Sequence, residues 1–252
     1  MKNNKQPIKE RIKNGEFLIG TWCILPSEHV VNVLAKAGLD FVLIDMEHGS
    51  ADFQCASRMV MAAEVEGCEA IIRVSSNSEA EILKALDIGA SGVIVPHIET
   101  VMDREKAISY IKYPPKGIRG FSPYARAGGY SNKKDYTSIE NDRVMSGIIV
   151  EGLDGIENID KIIDDPELDI VYLGAYDLSV ALGIPGDVRN EKIVKIIEDC
   201  AKKIIAKGKV AAGLFNTEED LIFFKKAGVN LACYGVDTSV LYKAFNEMAR
   251  KV

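Results

Sequence analysis

The chain has 252 residues, with 37 acidic against 31 basic side chains, a formal net charge of −6, and 47% hydrophobic and 27% charged residues. An acidic chain without clustered Lys and Arg lacks the means to neutralise phosphates, which excludes nucleic acid as an expected partner. The apolar fraction is that of a globular domain with a sizeable core, which excludes extensive disorder. Cys23, Cys55, Cys68, Cys200 and Cys233 are odd in number and scattered, with no C-x-x-C pair, so they read as core thiols of a reducing compartment. The opening MKNNKQPIKERIKNG has no apolar signal-peptide stretch, and no apolar run approaches the ~20 residues needed to cross a bilayer. The expectation is a soluble cytoplasmic protein with no membrane partner.

Strand-length apolar runs follow one another along the chain at 17–24, 41–47, 69–74, 92–98, 147–152, 169–178, 209–215 and 231–237. Between them lie stretches with apolar residues at helical spacing, such as Ile193, Ile196, Ile197, Cys200 and Ile204. Gly38, Gly67, Gly89, Gly208 and Gly228 stand where helices should stop, at positions that call for positive φ. Near-continuous apolar strands argue a parallel sheet covered by helices, and eight βα units in 252 residues fit a (β/α)8 barrel, one domain over 1–252. A doubly wound open sheet is disfavoured because no G-x-G-x-x-G follows the first run. Residues 114–145 break the rhythm as a long irregular insertion between the fourth helix and the fifth strand, on the side opposite a barrel's usual active face. They are expected to serve as a substrate lid, an oligomer contact or a mobile insert.

In such a barrel the reacting groups come from the C-terminal ends of strands. The polar residues there are Asp45, Glu47, His48, Arg73, His97, Glu151, Asp177, Asn216 and Asp237. Glu151 and Asp177 end adjacent strands, close enough to share one ion, and oxygen donors without Cys or clustered His favour Mg²⁺ or Mn²⁺. Salt bridges to Arg73, or capping of the following helix, are the alternative for both carboxylates. His48 suits proton transfer, and Arg73 at the tip of an apolar strand offers a planar fork for a carboxylate or an oxyanion. His97 reads either way. No Lys stands at the C-terminal end of a strand, which disfavours a Schiff base. Thr238 or Ser239 reads mainly as a cap of the last helix.

GTW (20–22), IDMEHG (44–49), IIRV (71–74), VIVPHIET (93–100), YPPKGIRG (113–120), VEG (150–152), GAYDLS (174–179) and GVDTS (235–239), in this order, resemble the signature blocks of the HpcH/HpaI family. The resemblance implies a (β/α)8 barrel, commonly a homohexamer, and a metal-dependent class II aldolase cleaving 4-hydroxy-2-keto acids to pyruvate and an aldehyde. It implies His48 as catalytic base, Arg73 as transition-state stabiliser and Asp87 as the residue supporting the base. By the same motifs Glu151 and Asp177 become ligands of Mg²⁺, Mn²⁺ or another divalent cation, and Ala175, Tyr176 and Asp177 a substrate-binding segment. Ile149 stands where the family often has a Gln, and Tyr176 departs from a frequent Gly-Pro-x-Asp. A citrate-lyase-like acyl-CoA lyase and a noncatalytic keto-acid binding protein are the rival expectations.

Overall fold

The computed structural model describes residues 6–131 and 133–251; the two ends of the expected domain, and position 132 of the 114–145 segment, lie outside the described residues. Its strands are β1 (Leu18–Cys23), β2 (Phe41–Asp45), β3 (Glu69–Arg73), β4 (Gly92–Val95), β5 (Met145–Val150), β6 (Ile170–Leu173), β7 (Val210–Phe215) and β8 (Leu231–Val236). Each pairs in parallel with the next, and β8 pairs with β1, closing the barrel. A helix α1 (Ile8–Lys13) precedes β1, and α2 (Glu28–Lys36), α3 (Phe53–Val65), α4 (Glu79–Asp87) and α5 (Val101–Ile111) follow the first four strands in turn. Next come α6 (Tyr136–Arg143) before β5, α7 (Leu153–Glu157) and α8 (Ile159–Ile162) after it, and α9 (Ala175–Ala181) and α10 (Glu191–Ala206) after β6. Finally, α11 (Glu218–Ala227) follows β7 and α12 (Asp237–Ala249) follows β8.

Alternation along the strands builds two cores. Leu18, Trp22, Leu43, Ile71, Ile94, Ile149, Tyr172 and Leu231 fill the barrel, while Ile44, Ile72, Val93, Ile148 and Val171 face the helices. The opening residues, read above only as lacking a signal-peptide stretch, also supply the floor: Ile8 and Ile12, one helical turn apart on α1, join the barrel interior. All five cysteines are buried and unbridged. The five helix-terminating glycines have φ between 71° and 100°. No helix of the described residues is long and apolar enough to cross a membrane.

Three local expectations differ from what is found. The sixth apolar run is not a strand to 178: β6 ends at Leu173, Gly174 is the N-cap, and Tyr176 and Asp177 occupy the first turn of α9. The last helix begins at Asp237, before Thr238 and Ser239, with no side-chain cap from either. Asp237 instead accepts hydrogen bonds from the backbone N–H groups of Thr238, Ile24 and Leu25, which ties the end of β1 to the start of α12.

The 114–145 segment is neither wholly irregular nor a lid over its own barrel. It contains α6, and it stands at the pole where strands begin. There Arg119 donates to Asp87 at 2.9 Å and lies over the Tyr113 ring, while Arg126 pairs with Glu64 and the Ile88 carbonyl. The rings of Tyr113, Phe121 and Tyr136 pack together. Of the thirteen residues of α12 only Asp237 is buried, whereas Leu241, Tyr242, Phe245 and Met248 are exposed.

Candidate active site

The register of the barrel sets Asp45 directly beside Arg73, each the last residue of its strand. A buried guanidinium needs a partner, and Asp45 supplies a two-pronged one: Arg73 Nε donates to Oδ1 at 2.9 Å and Nη2 to Oδ2 at 2.5 Å. Burial opposes the charge of Arg73, yet Asp45 foremost, then Glu47 and Glu151, hold its pKa above the ordinary arginine value. Asp45 Oδ1 also accepts from the backbone N–H groups of Glu47 and His48, turning the chain sharply after β2. Gly49 makes that turn feasible, because a Cβ there would meet the Asp45 carbonyl oxygen at 2.1 Å.

From Arg73 a line of alternating basic and acidic side chains runs across the strand ends. Arg73 Nη1 stands 3.1 Å from Glu47 Oε2, and Glu47 Oε1 lies 2.8 Å from His97 Nε2. The other ring nitrogen, Nδ1, is 2.9 Å from Glu151 Oε1, which also accepts the His97 backbone N–H at 2.9 Å. This double hold keeps His97, a residue with a Cβ, in the left-handed region at φ 57°.

Glu151 therefore does not pair with Arg73, whose carboxylate partners are Asp45 and Glu47. It is 6% exposed, and burial foremost raises its pKa, with Asp177 and Glu47 pushing the same way against the contacts from His97. Its place depends on Gly174: a Cβ there would come within 2.6 Å of Glu151 Cβ and 3.0 Å of Oε2. Asp177 makes no hydrogen bond or ion pair among the described residues, so neither carboxylate caps a helix or bridges to Arg73.

These groups open into one cavity of about 660 Å³, lined by His48, Arg73, Glu151, Ala175, Tyr176 and Asp177 among others. Its floor is apolar, with Ile149, Leu214 and Trp22, and the guanidinium of Arg73 stands 4.5 Å from the centroid of the Trp22 ring. Trp22 Nε1 donates to the buried Tyr172 hydroxyl at 2.9 Å. At the rim the Tyr176 hydroxyl lies 3.5 Å from Asn216 Nδ2, and Arg189 pairs with Asp220 at 3.0 Å. In all, five carboxylates (Asp45, Glu151, Asp177, Glu219 and Asp220) line the cavity against two guanidinium groups, Arg73 and Arg189.

Of the residues expected to do chemistry, His48, Arg73, Glu151, Ala175, Tyr176 and Asp177 meet in this cavity. Asp87 does not. It ends α4, which runs back from the strand ends to the opposite pole, and its carboxylate takes Arg119 rather than His48. Glu47 and His97 stood among the strand-end polar residues, but nothing in the sequence marked that they would bridge Arg73 to Glu151. Arg189, Glu219 and Asp220 carried no sequence signal at all, because they reach the rim from helix ends and a loop.

No cluster of three or more His, Cys, Asp or Glu suited to a metal exists among the described residues. A pair of carboxylates remains, and a hard cation that keeps several waters commonly needs no more from the protein. Gly174, by leaving room for Glu151, and the raised pKa of a carboxyl facing Asp177 both fit such an ion.

The HpcH/HpaI aldolase/citrate lyase family matches residues 18–244. The chain is 32% identical over 243 residues, 96% of its length, to a 2-keto-3-deoxy-L-rhamnonate aldolase of Escherichia coli, covering 91% of that protein. It is also 32% identical over 243 residues to a hydroxypyruvate/pyruvate aldolase of Pseudomonas aeruginosa, covering 90% of it. Among solved structures it is similar to citrate synthase SbnG, with a TM-score of 0.89, 28% identity, and 97% and 96% of the two chains covered.

Proposed function

Since this chain belongs to the HpcH/HpaI aldolase/citrate lyase family, we propose that it is a divalent-metal-dependent aldolase. It cleaves a 4-hydroxy-2-keto acid to pyruvate and an aldehyde, or runs the condensation in reverse. The observation that carries this reading is Glu151, a carboxylate 6% exposed whose ionised form is penalised by burial and by the facing Asp177. A cation against both carboxylates removes that penalty. Oxygen donors and open positions for water and substrate suit Mg²⁺ or Mn²⁺, with Glu151 and Asp177 as its protein ligands. When bound, such an ion supplies Lewis acidity at the carbonyl oxygen of the keto acid.

The remaining work falls to the side chains of this chain. Arg73, fixed by Asp45 on its edge and Trp22 at its face, presents its free N–H donors to the oxygens on which charge grows as the C3–C4 bond breaks. His48 takes the proton of the 4-hydroxyl in cleavage and returns it in synthesis, a task for which an imidazole is suited. Ile149, Leu214 and Trp22 exclude water from the donor end of the cavity, while Tyr176 and Asn216 meet the aldehyde at the rim. The exposed apolar residues of α12 support a homo-oligomer, with a second copy of this chain as their cover and a hexamer as the form that family resemblance suggests.

The test is turnover of pyruvate with a panel of aldehydes in Mg²⁺ or Mn²⁺, read by product mass. Chelation should abolish product formation and added cation restore it, and borohydride with pyruvate should leave the protein mass unchanged. A reduced adduct on Lys, or full turnover under chelation, overturns the metal reading. Pyruvate binding without C–C chemistry or proton exchange favours the noncatalytic rival.

A further inference from the structure

A second cavity, of about 750 Å³, lies at the pole opposite the candidate active site, beneath the starts of β5, β6 and β7 and beside α1. In a chain of net charge −6 its lining is weighted the other way: Lys9, Lys13, Lys116 and Lys209 stand against Asp142, Glu167 and Asp169. All three carboxylates are engaged, Asp169 by Lys9 at 3.0 Å, Glu167 by Lys116 at 2.9 Å and Asp142 by the same Lys116 at 3.7 Å.

Lys112 and Lys209 are hydrogen-bonded to carbonyls, and among the described residues no carboxylate oxygen lies closer than 3.9 Å to either ammonium. Lys112, with its side chain 1% exposed, donates to the carbonyls of Asn141 at 2.7 Å and Val144 at 3.2 Å, and its nearest carboxylate oxygen, on Glu167, is 3.9 Å away. Lys9 donates to the same Val144 carbonyl at 3.3 Å, so two ammonium groups share one oxygen. Lys209 donates to the Asp165 carbonyl at 2.5 Å, and Lys13 makes no ion pair among the described residues. A carbonyl satisfies an N–H donor yet leaves a full positive charge in a medium that screens poorly. Burial foremost, and then Lys9, lowers the pKa of Lys112 to about 8, and burial lowers that of Lys209. On the same wall the buried Asn230 Oδ1 has no hydrogen-bond donor.

We infer that this cavity binds a small dianion carrying a hydroxyl donor, its anionic oxygens set among Lys9, Lys13 and Lys209 and its hydroxyl directed to Asn230 Oδ1. Hydrogen phosphate has both features; the dianionic head of a phosphate monoester, which has no remaining P–OH, and a dicarboxylate share only the charge. The volume accommodates a metabolite of ordinary size. The inference stands apart from the aldolase reading, since no residue of the catalytic cavity takes part.

Isothermal titration calorimetry of the full chain at low salt, with inorganic phosphate as one probe and succinate as the other, tests it. The expected result is saturable binding of one phosphate per chain, weakened about 10-fold or more by Lys209→Met and by Lys13→Ala, in the range found when one partner of a charge pair is truncated. Lys13 is exposed, so its variant is expected to melt as the parent does and keeps the test valid if Lys209→Met unfolds. Phosphate binding tighter than succinate identifies the hydroxyl-bearing class; succinate binding as tightly overturns the role of Asn230. Absence of saturation, or phosphate affinity indifferent to both substitutions, as for an ion held in the catalytic cavity, overturns the site.

Discussion

The Trp22 indole faces the Arg73 guanidinium, whose central carbon stands 4.5 Å from the ring centroid, and the same indole is anchored at its N–H by the Tyr172 hydroxyl. Arg73 is thus fixed from its edge by a carboxylate and at its face by a ring, and the two constraints can be removed separately. Trp22→Leu should lower kcat/KM by about 3- to 10-fold, the worth of a partly desolvated cation–π contact. Arg73→Lys, which loses the planar fork, should cost about 10²-fold or more. Steady-state kinetics of both variants check the order; an unchanged kcat/KM in Trp22→Leu would remove the ring from the positioning of Arg73.

His48 lines the cavity without a side-chain hydrogen bond among the described residues. His48→Ala should slow cleavage and synthesis alike by about 10²-fold or more, the usual scale of general acid–base help. Cation binding, followed by calorimetry, should stay as in the parent.

Gly174 is expected to be intolerant for a steric reason, since its φ of −81° is open to any residue. The Cβ of Gly174→Ala would press on Glu151 at 2.6 Å, and affinity for Mn²⁺ should fall about 10-fold, the lower end of what displaced support residues cost a metal site. Electron paramagnetic resonance of free Mn²⁺ in a titration measures it; unchanged affinity would argue that Glu151 does not ligate.

Tyr176 and Asp177 both reach the cavity because they sit on a helical turn rather than on a strand, and Ser179 secures that turn by donating to the Tyr176 carbonyl and accepting from Gly186 N–H. Tyr176→Ala should shift relative kcat/KM between short and long aldehydes by about 10-fold, the range of pocket-shape discrimination. Unchanged selectivity with a lower melting temperature would leave the phenol as a packing group.

Lys112 should leave a signature in stability against pH. Its pKa of about 8 in the folded chain lies below the ordinary 10.5, so its charge opposes folding in full below pH 8. Between about 8 and 10.5 the unfolded chain holds more protons, and unfolding free energy should rise with pH by up to about 3 kcal/mol from this group. Urea denaturation of the parent and of Lys112→Met across that window should show the rise in the parent alone.

The barrel was legible because eight apolar runs and five helix-ending glycines are local signals, each written in a few adjacent residues. The sixth run misled because Ala175, Tyr176 and Leu178 continue its apolar character past Leu173, while the break depends on Gly174 and on the room needed by Glu151. The helix α1 escaped because two isoleucines in a short polar stretch carry too little periodicity. The site was legible as a set of strand-end residues but not as a network. Arg73 chooses Asp45 and Glu47 by strand register, and His97 reaches two carboxylates through a left-handed backbone that no spacing announces. Asp87 failed to meet His48 within the chain because a motif gives no direction along α4.

The five carboxylates and two guanidinium groups that line the candidate active-site cavity also bear on the order in which ligands arrive. An anionic keto acid approaching this mouth meets a repulsive field, whereas a divalent cation is drawn in. Addition should therefore be ordered, cation before keto acid, and raising ionic strength should weaken cation capture while easing entry of the anion. In an initial-rate study, the apparent KM for pyruvate should fall as free Mn²⁺ increases towards saturation, and pyruvate alone should show no measurable binding to chelator-treated protein.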